Sequence, residues 1–106
     1  MNRLQQLIEM HQQDPTDSFL RFALAKEYEK AEDWENAFSY YKGLVTQQPN
    51  YVGTYYHLAK LHEVHEEWED ALRTYETGMS VAEAENDKHA LRELQEAYAM
   101  LKAQLD

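Results

Sequence analysis

The side chains best suited to metal chemistry are His57, His62 and His65, which have Glu63 and Glu66 among them. Ligands that share an ion from one helix lie three or four positions apart, so His62 and His65 can face the same way while His57 points elsewhere. Two ligands without a third make an incomplete site. The sequence therefore predicts packed or solvated histidines, with no metal site and no cofactor.

The sequence contains no recognisable catalytic motif. It has no Cys, and no Ser lies in a recognisable nucleophile elbow. Its three glycines are scattered, so no glycine-rich loop is available to hold a phosphate group. The many glutamates fall mostly at positions expected on helix surfaces, where they are simply solvated. We therefore predict that the protein is not an enzyme.

The net charge argues against polyanionic partners. Twenty acidic and ten basic residues give a formal net charge of −10 at pH 7. Phosphate backbones and anionic membranes bind clustered Lys and Arg, whereas the basic residues here are scattered singly along the chain. We predict an acidic protein with no nucleic-acid partner and no membrane partner, whose charge mainly serves solubility.

Length and composition indicate one all-helical domain. A chain of 106 residues with 43% hydrophobic residues can build one core, and three Gly with two Pro leave little material for β-turns. The apolar runs are far shorter than the ~20 residues that a membrane span needs. The N-terminus lacks the features of a signal peptide, and the absence of Cys fits a reducing compartment. We expect a soluble cytoplasmic protein.

Hydrophobic periodicity predicts six amphipathic helices separated by short polar breaks. Their expected bounds are about 2–13, 17–31, 34–47, 51–65, 68–83 and 87–104. Pro15 and Pro49 interrupt the helical pattern, because the residue before a proline resists the helical conformation. Asp17 or Thr16 is expected to cap the second helix, and Asp33 the third.

Small and apolar residues mark the expected helix contacts. The inward face of the second helix should hold Leu20, Ala23, Leu24, Tyr28 and Ala31. Short connections make consecutive helices neighbours. Small side chains then allow close approach of their axes, and the alanines expected at these contacts are Ala25, Ala37, Ala59 and Ala71.

The sequence repeats itself with an offset of 34 residues. The segment from Phe22 to Glu29 returns as the segment from Tyr56 to Glu63, and Trp34-Glu-Asn-Ala returns as Trp68-Glu-Asp-Ala. Tyr41 likewise returns as Tyr75. Self-similarity at this period is typical of helical-hairpin arrays, in which each unit buries its apolar face against its neighbours. Such arrays present surfaces, so the repeat favours a binding function over catalysis.

These residues resemble the tetratricopeptide repeat, a helix–turn–helix unit of the same period. The matching positions are Leu24-Ala25, Tyr28, Ala37, Tyr41 and Pro49 in the first repeat, and Leu58-Ala59, Ala71 and Tyr75 in the second. The departures are Arg21 for the usual Trp, His62 for an aromatic residue, Leu44 and Gly78 for a late Ala, and Glu83 for the closing Pro.

The resemblance implies a right-handed all-α array that forms a single domain over residues 1–106. Its parts are a leading helix over 1–15, a first repeat over 18–51, a second over 52–85 and a capping helix over 86–106. The last helix carries a stripe of Leu91, Leu94, Tyr98, Leu101 and Leu105. This stripe can cover the end of the array, or it can serve as a dimerisation seam.

The resemblance also implies a concave groove, lined by the first helix of each hairpin, that receives a protein or peptide partner. The groove residues would be Phe19, Phe22, Lys26, Glu29, Lys30, Tyr56, Lys60, Glu63 and Val64. The alternative is an ordinary amphipathic surface with extended lysines. The family's clamp for a chaperone's C-terminal carboxylate is not recognisable, since Phe22 and His57 stand at two of its positions.

The sequence thus predicts a protein-interaction module or scaffold that binds a partner segment in this groove. The alternative function is a structural assembly unit that self-associates through the C-terminal helix or the open N-terminal edge of the array.

Overall fold

A computed structural model describes residues 2–106, which form six α-helices and no β-strand. The helices are α1 (Arg3–Gln13), α2 (Ser18–Lys30), α3 (Trp34–Gln47), α4 (Gly53–Val64), α5 (Trp68–Ala84) and α6 (Lys88–Leu105). The predicted all-α fold is confirmed, and the expected bounds agree to within about two residues. Met1, the first residue of the predicted leading helix, lies outside the described residues.

Side-chain caps begin four of the six helices. Asn2, Asp17, Asp33 and Asp87 each accept a hydrogen bond from the backbone N–H three residues ahead, at 2.8, 3.0, 3.3 and 3.0 Å. Each cap satisfies one of the donors that a helix start leaves unpaired. The predicted caps Asp17 and Asp33 are confirmed. Helix α4 begins at Gly53, two residues later than expected, and has no side-chain cap.

Three helices end in the same way, with a residue in the left-handed conformation. Glu32, Glu66 and Asn86 have φ angles of 60°, 58° and 57°. After α2, the N–H of Glu32 donates to the carbonyl of Glu29, and the N–H of Asp33 donates to that of Tyr28. This pair of bonds is the Schellman motif, and the same pair follows α4 and α5. Each such turn leads directly into the next helix.

The chain divides into two compact units, the first ending at Tyr51 and the second beginning at Val52. This division falls where the first predicted repeat ends and the second begins. In the first unit, α2 packs against both α1 and α3. Its core contains Leu7, Leu20, Ala23 and Leu24, with Leu4, Ile8, Tyr28 and Tyr40 packed at the edge.

The second unit contains α4, α5 and α6, with α5 packed against both of the others. Helices α4 and α5 approach closely at Gly78, where a Cβ atom would lie 2.5 Å from Cβ of Tyr55. The stripe on α6 is used internally in part, since Leu94 and Leu101 are buried.

The alanines predicted at close helix contacts, Ala25, Ala37, Ala59 and Ala71, are all fully buried. Ala31 is an exception to the predicted inward face of the second helix. It is exposed, because it is the C-cap residue where α2 ends and the chain turns away. Within residues 2–106, no helix combines the length and the apolar character required to cross a bilayer.

Candidate functional site

Phe22 lies at the centre of the predicted site residues on α2. Its ring is half-buried and packs against the ring of Tyr41, with centroids 6.3 Å apart, and against that of Tyr51 at 5.6 Å. Nζ of Lys26 lies 5.5 Å from the centroid of the same ring, at cation–π distance. The ring is therefore fixed by its neighbours, and the ammonium group is held beside it.

A cavity of about 180 Å³ brings three of the predicted residues together. Phe19, Phe22 and Lys26 line it with Ala23, and Arg3 and Glu27 complete its wall. Phe19 is 60% exposed. The cavity thus has an aromatic wall with an ammonium group at its rim.

Arg3 and Glu27 were not predicted as site residues. Nε of Arg3 lies 3.3 Å from Oε1 of Glu27, and this ion pair connects α1 to α2. Both residues also line a second cavity of about 410 Å³, which includes the predicted residue Lys30. Their long separation in sequence hides the pairing, because only the packing of α1 on α2 brings them together.

Glu29 has a different environment from the one expected. Its Oε1 accepts a hydrogen bond of 2.8 Å from the hydroxyl of Tyr41, which is fully buried. Burial, and then this hydrogen bond to a carboxylate, raise the pKa of Tyr41 far above its usual value. Glu29 is thus fixed in its orientation by Tyr41 of α3.

The second unit repeats these contacts. Nζ of Lys60 lies 5.6 Å from the ring centroid of Tyr56, and 3.8 Å from Oε2 of Glu63. The same oxygen of Glu63 accepts a short hydrogen bond from the buried hydroxyl of Tyr75. Burial first, and then Glu63, raise the pKa of Tyr75 far above its usual value. Val64, the last predicted site residue, is 66% exposed.

Two further aromatic–lysine pairs lie outside the predicted site. Nζ of Lys42 is 5.3 Å from the ring centroid of Phe38 on α3, and Nζ of Lys102 is 5.6 Å from that of Tyr98 on α6. A lysine four residues after an aromatic residue reaches back over its ring on any helix. The pairing alone therefore does not mark a binding site.

The histidines have internal partners. Nδ1 of His62 lies 2.8 Å from Oε1 of Glu67, and Nδ1 of His65 lies 3.0 Å from the carbonyl of Leu61. These contacts agree with the interpretation of His62 and His65 as packed residues. Asp70 adds a third possible ligand beside His62 and Glu67, with the ligand atoms within 4.8 Å of one another. Both carboxylates are exposed, and the prediction of no metal site stays a prediction.

A scan against models of protein families finds no match for this chain, and no curated protein matches it. Solved structures do match. A solution NMR structure of a tetratricopeptide repeat domain protein from Salinibacter ruber is 42% identical with a TM-score of 0.82, and the match covers 85% of this chain and 91% of that one. The chain belongs to the tetratricopeptide repeat family.

Two other structures are similar to this tetratricopeptide repeat chain. A crystal structure of a tetratricopeptide repeat domain protein from Salinibacter ruber is 41% identical with a TM-score of 0.78, covering 82% of this chain and 97% of that one. The TPR2B domain of yeast Sti1, in its complex with pHsp70, is 24% identical with a TM-score of 0.83. That match covers 95% of this chain and 81% of that one, and at this identity the likeness is one of fold.

The tetratricopeptide repeat assignment makes α2 and α3 the first hairpin, and α4 and α5 the second. Equivalent contacts then occupy equivalent positions: Tyr41 bonds Glu29 in the first hairpin as Tyr75 bonds Glu63 in the second. Each tyrosine reaches from the second helix of its hairpin to the first. The 34-residue offset shared by the two tyrosines and the two glutamates marks the two pairs as equivalent, but it does not indicate that each tyrosine bonds a glutamate.

Proposed function

We propose that this chain is a protein-interaction module that binds a peptide or protein segment through α2 and α4, in the groove that the family resemblance implies. The observation that carries the proposal is the recurrence of one set of contacts on both helices. On each helix, the ammonium group of a lysine lies over the ring of the aromatic residue that precedes it. On each helix, a glutamate accepts a hydrogen bond from a buried tyrosine. The proposed partner-binding residues are Phe19, Phe22, Lys26, Glu29, Lys30, Tyr56, Lys60, Glu63 and Val64.

The chemistry of these residues indicates the kind of partner. Phe19 and the adjoining cavity offer an apolar anchor point. The ammonium groups of Lys26 and Lys60 lie beside aromatic rings and favour a carboxylate on the partner. We therefore expect a partner segment that combines an apolar side chain with an acidic group. One oxygen of Glu29 and one of Glu63 accept a hydrogen bond from a tyrosine, so each carboxylate would meet the partner in a fixed orientation.

A solved structure of the same fold supports a peptide-like partner. The TPR2B domain of yeast Sti1, which has the same fold, is found in a complex with pHsp70. The identity to that domain is too low to transfer its ligand. The chain also lacks a recognisable chaperone clamp, so the partner's acidic group need not be a C-terminal carboxylate.

Charge reversal on the two helices tests the proposal. A displayed peptide library would first be selected against the native protein, and the Kd of a selected peptide would be measured by calorimetry. The double variant Lys26→Glu with Lys60→Glu should raise that Kd at least about tenfold, because each reversal replaces an attraction by a repulsion. Its circular dichroism should match that of the native protein.

The chain offers a matched control. The double variant Lys42→Glu with Lys102→Glu makes the same change of net charge and disrupts two equivalent aromatic–lysine pairs on α3 and α6. It should leave the Kd within about twofold. Equal losses in both double variants would mean that only net charge matters, and would reject the assignment to α2 and α4.

The alternative function, self-association, draws no support from the stripe on α6. Leu94 and Leu101 are buried within the second unit, and the hydroxyl of Tyr98 donates to Glu76 on α5. Leu105 is the stripe residue that remains largely exposed. Light scattering at micromolar concentration distinguishes the two functions, since a monomer excludes the assembly unit and a stable dimer would favour it.

A further inference from the structure

A third cavity in the first unit involves none of the proposed partner-binding residues. It has a volume of about 250 Å³ and is lined by His11 of α1, Arg21 of α2, and Ser39, Tyr40, Gly43 and Gln47 of α3. The wall contains the guanidinium of Arg21 and the imidazole of His11, and no carboxylate lines it. The wall is thus rich in hydrogen-bond donors, in a chain whose net charge is −10.

Arg21 is the principal charged group of the cavity. Its Nε donates to the carbonyl of Pro15 at 2.9 Å, and its Nη1 donates to Oε1 of Gln47. Both acceptors are neutral, and none of the ion pairs found within residues 2–106 includes Arg21. These bonds use two of the five N–H donors of a guanidinium. Donors and a positive charge are therefore left for a further group.

His11 provides a second indication of a missing partner. Its ring packs edge-on against Tyr40, with centroids 5.8 Å apart, and its Nε2 is buried. That nitrogen has no hydrogen-bond partner among the described residues. Buried side-chain nitrogens are usually paired, so His11, which lines the cavity, retains an unused hydrogen-bonding atom.

Gly43 accounts for the open space. A Cβ atom built at Gly43 would meet nothing within 4 Å, although the residue lies in the middle of α3. Glycine lowers the stability of a helix interior, and no close contact requires it here. The missing side chain leaves room beside Arg21 that a larger residue would occupy.

We propose that this cavity binds a carboxylate group, held by the guanidinium of Arg21 with the hydroxyl of Ser39 and the wall of Tyr40 beside it. A planar guanidinium pairs with a carboxylate through two parallel hydrogen bonds, which a neutral amide cannot reproduce. The group can come from a free organic acid or from the acidic end of a peptide. Both sources present the same chemistry to Arg21.

Benzoate and an N-acetylated peptide that ends in aspartate represent the two sources. Each would be titrated into isotope-labelled protein, with the backbone amide signals of α1 and α3 as the readout. At least one should shift the signals of His11 and Gly43 with a Kd near 1 mM, about the affinity expected of so small a ligand. Benzamide, which has the shape of benzoate without its charge, should cause no shift.

Two variants establish the location. Gly43→Leu should fill the cavity without touching the core and raise the Kd at least about tenfold. Arg21→Gln should also raise the Kd at least about tenfold, because it removes the positive charge. Gly43→Leu remains decisive if Arg21→Gln loosens the contact with Pro15. Arg73→Gln, which changes an exposed arginine on α5, is the matched control and should leave the Kd unchanged.

The proposal is overturned if neither acid shifts His11 and Gly43, if benzamide binds as well as benzoate, or if Gly43→Leu binds as well as the native protein. Binding of benzoate alone would identify a free acid as the source, and binding of the peptide alone a protein partner. The Lys26 and Lys60 double variant should not change the affinity for either probe. The outcome is thus independent of the function proposed for α2 and α4.

Discussion

Gly78→Ala is a single-methyl perturbation at a close contact between α4 and α5 in the second unit. The added Cβ would lie 2.5 Å from Cβ of Tyr55 and 3.2 Å from Cδ1 of Leu94. Carbon atoms are most stable at about 3.5–4.0 Å, so α4 and α5 would have to separate by about 1 Å. Tyr55 cannot yield by a side-chain rotation alone, because its Cβ is attached to the backbone of a buried residue.

Two opposing contributions set the change in the free energy of unfolding. Overpacking a core costs about 1–3 kcal/mol, and a contact this short with a rigid atom belongs at the upper end. Replacing glycine by alanine inside a helix contributes about 1 kcal/mol of stability. We expect a net loss of about 2 kcal/mol. Gly43→Ala makes the same chemical change where the new Cβ meets nothing within 4 Å, so it should stabilise by up to about 1 kcal/mol.

Urea unfolding followed by far-ultraviolet circular dichroism measures both variants. The midpoint should fall for Gly78→Ala and rise for Gly43→Ala, with a difference of about 3 kcal/mol in the free energy of unfolding at an unchanged m-value. Because the two glycines lie on different helical hairpins, tryptophan fluorescence of Trp34 and Trp68 should be compared with the dichroism. A Gly78→Ala variant as stable as the native protein would refute the close approach of α4 and α5.

Alkaline pH should destabilise the protein through Tyr41 and Tyr75. Below about pH 10 both are protonated whether the chain is folded or not, whereas above it the unfolded chain releases protons that the folded chain retains. The free energy of unfolding should therefore fall as the pH rises above about 10. The double variant Tyr41→Phe with Tyr75→Phe should show a weaker fall. Equal pH profiles for the native protein and the double variant would contradict this prediction. Glu66→Gly should stabilise by about 1 kcal/mol, because glycine tolerates a φ of 58° without the strain that a Cβ causes. Glu96→Gly, at an exposed position inside α6, should instead destabilise under the same urea titration.

Much of the fold could be predicted because local signals agree with one another. Asp17 and Asp33 cap helices at the positions where a short acceptor precedes an apolar pattern. The buried alanines follow from the repeat, since Ala37 and Ala71 recur at the same place in two hairpins. Such features depend on neighbours within a few residues, or on a repeated offset, and a single sequence contains both.

The contacts between helices could not be predicted in the same way. Glu29 and Glu63 are predicted as groove residues, and nothing in the sequence indicates that each accepts a hydrogen bond from a tyrosine twelve residues ahead. Their pairing requires the hairpin to be closed, and hydrophobic periodicity says nothing about which polar atoms then meet. Arg21 is similar, because only the packing of the first unit places it beside His11 and Gly43 at one cavity.

Residue-by-residue mapping of a bound partner tests the central claim most directly. A peptide selected against the native protein would be added to isotope-labelled chain, and the backbone amide shifts recorded. We predict that the largest shifts fall on α2 and α4, at Phe22 and Lys26 and at the equivalent Tyr56 and Lys60. Shifts confined to α3, α5 or α6, with α2 and α4 unaffected, would contradict the account.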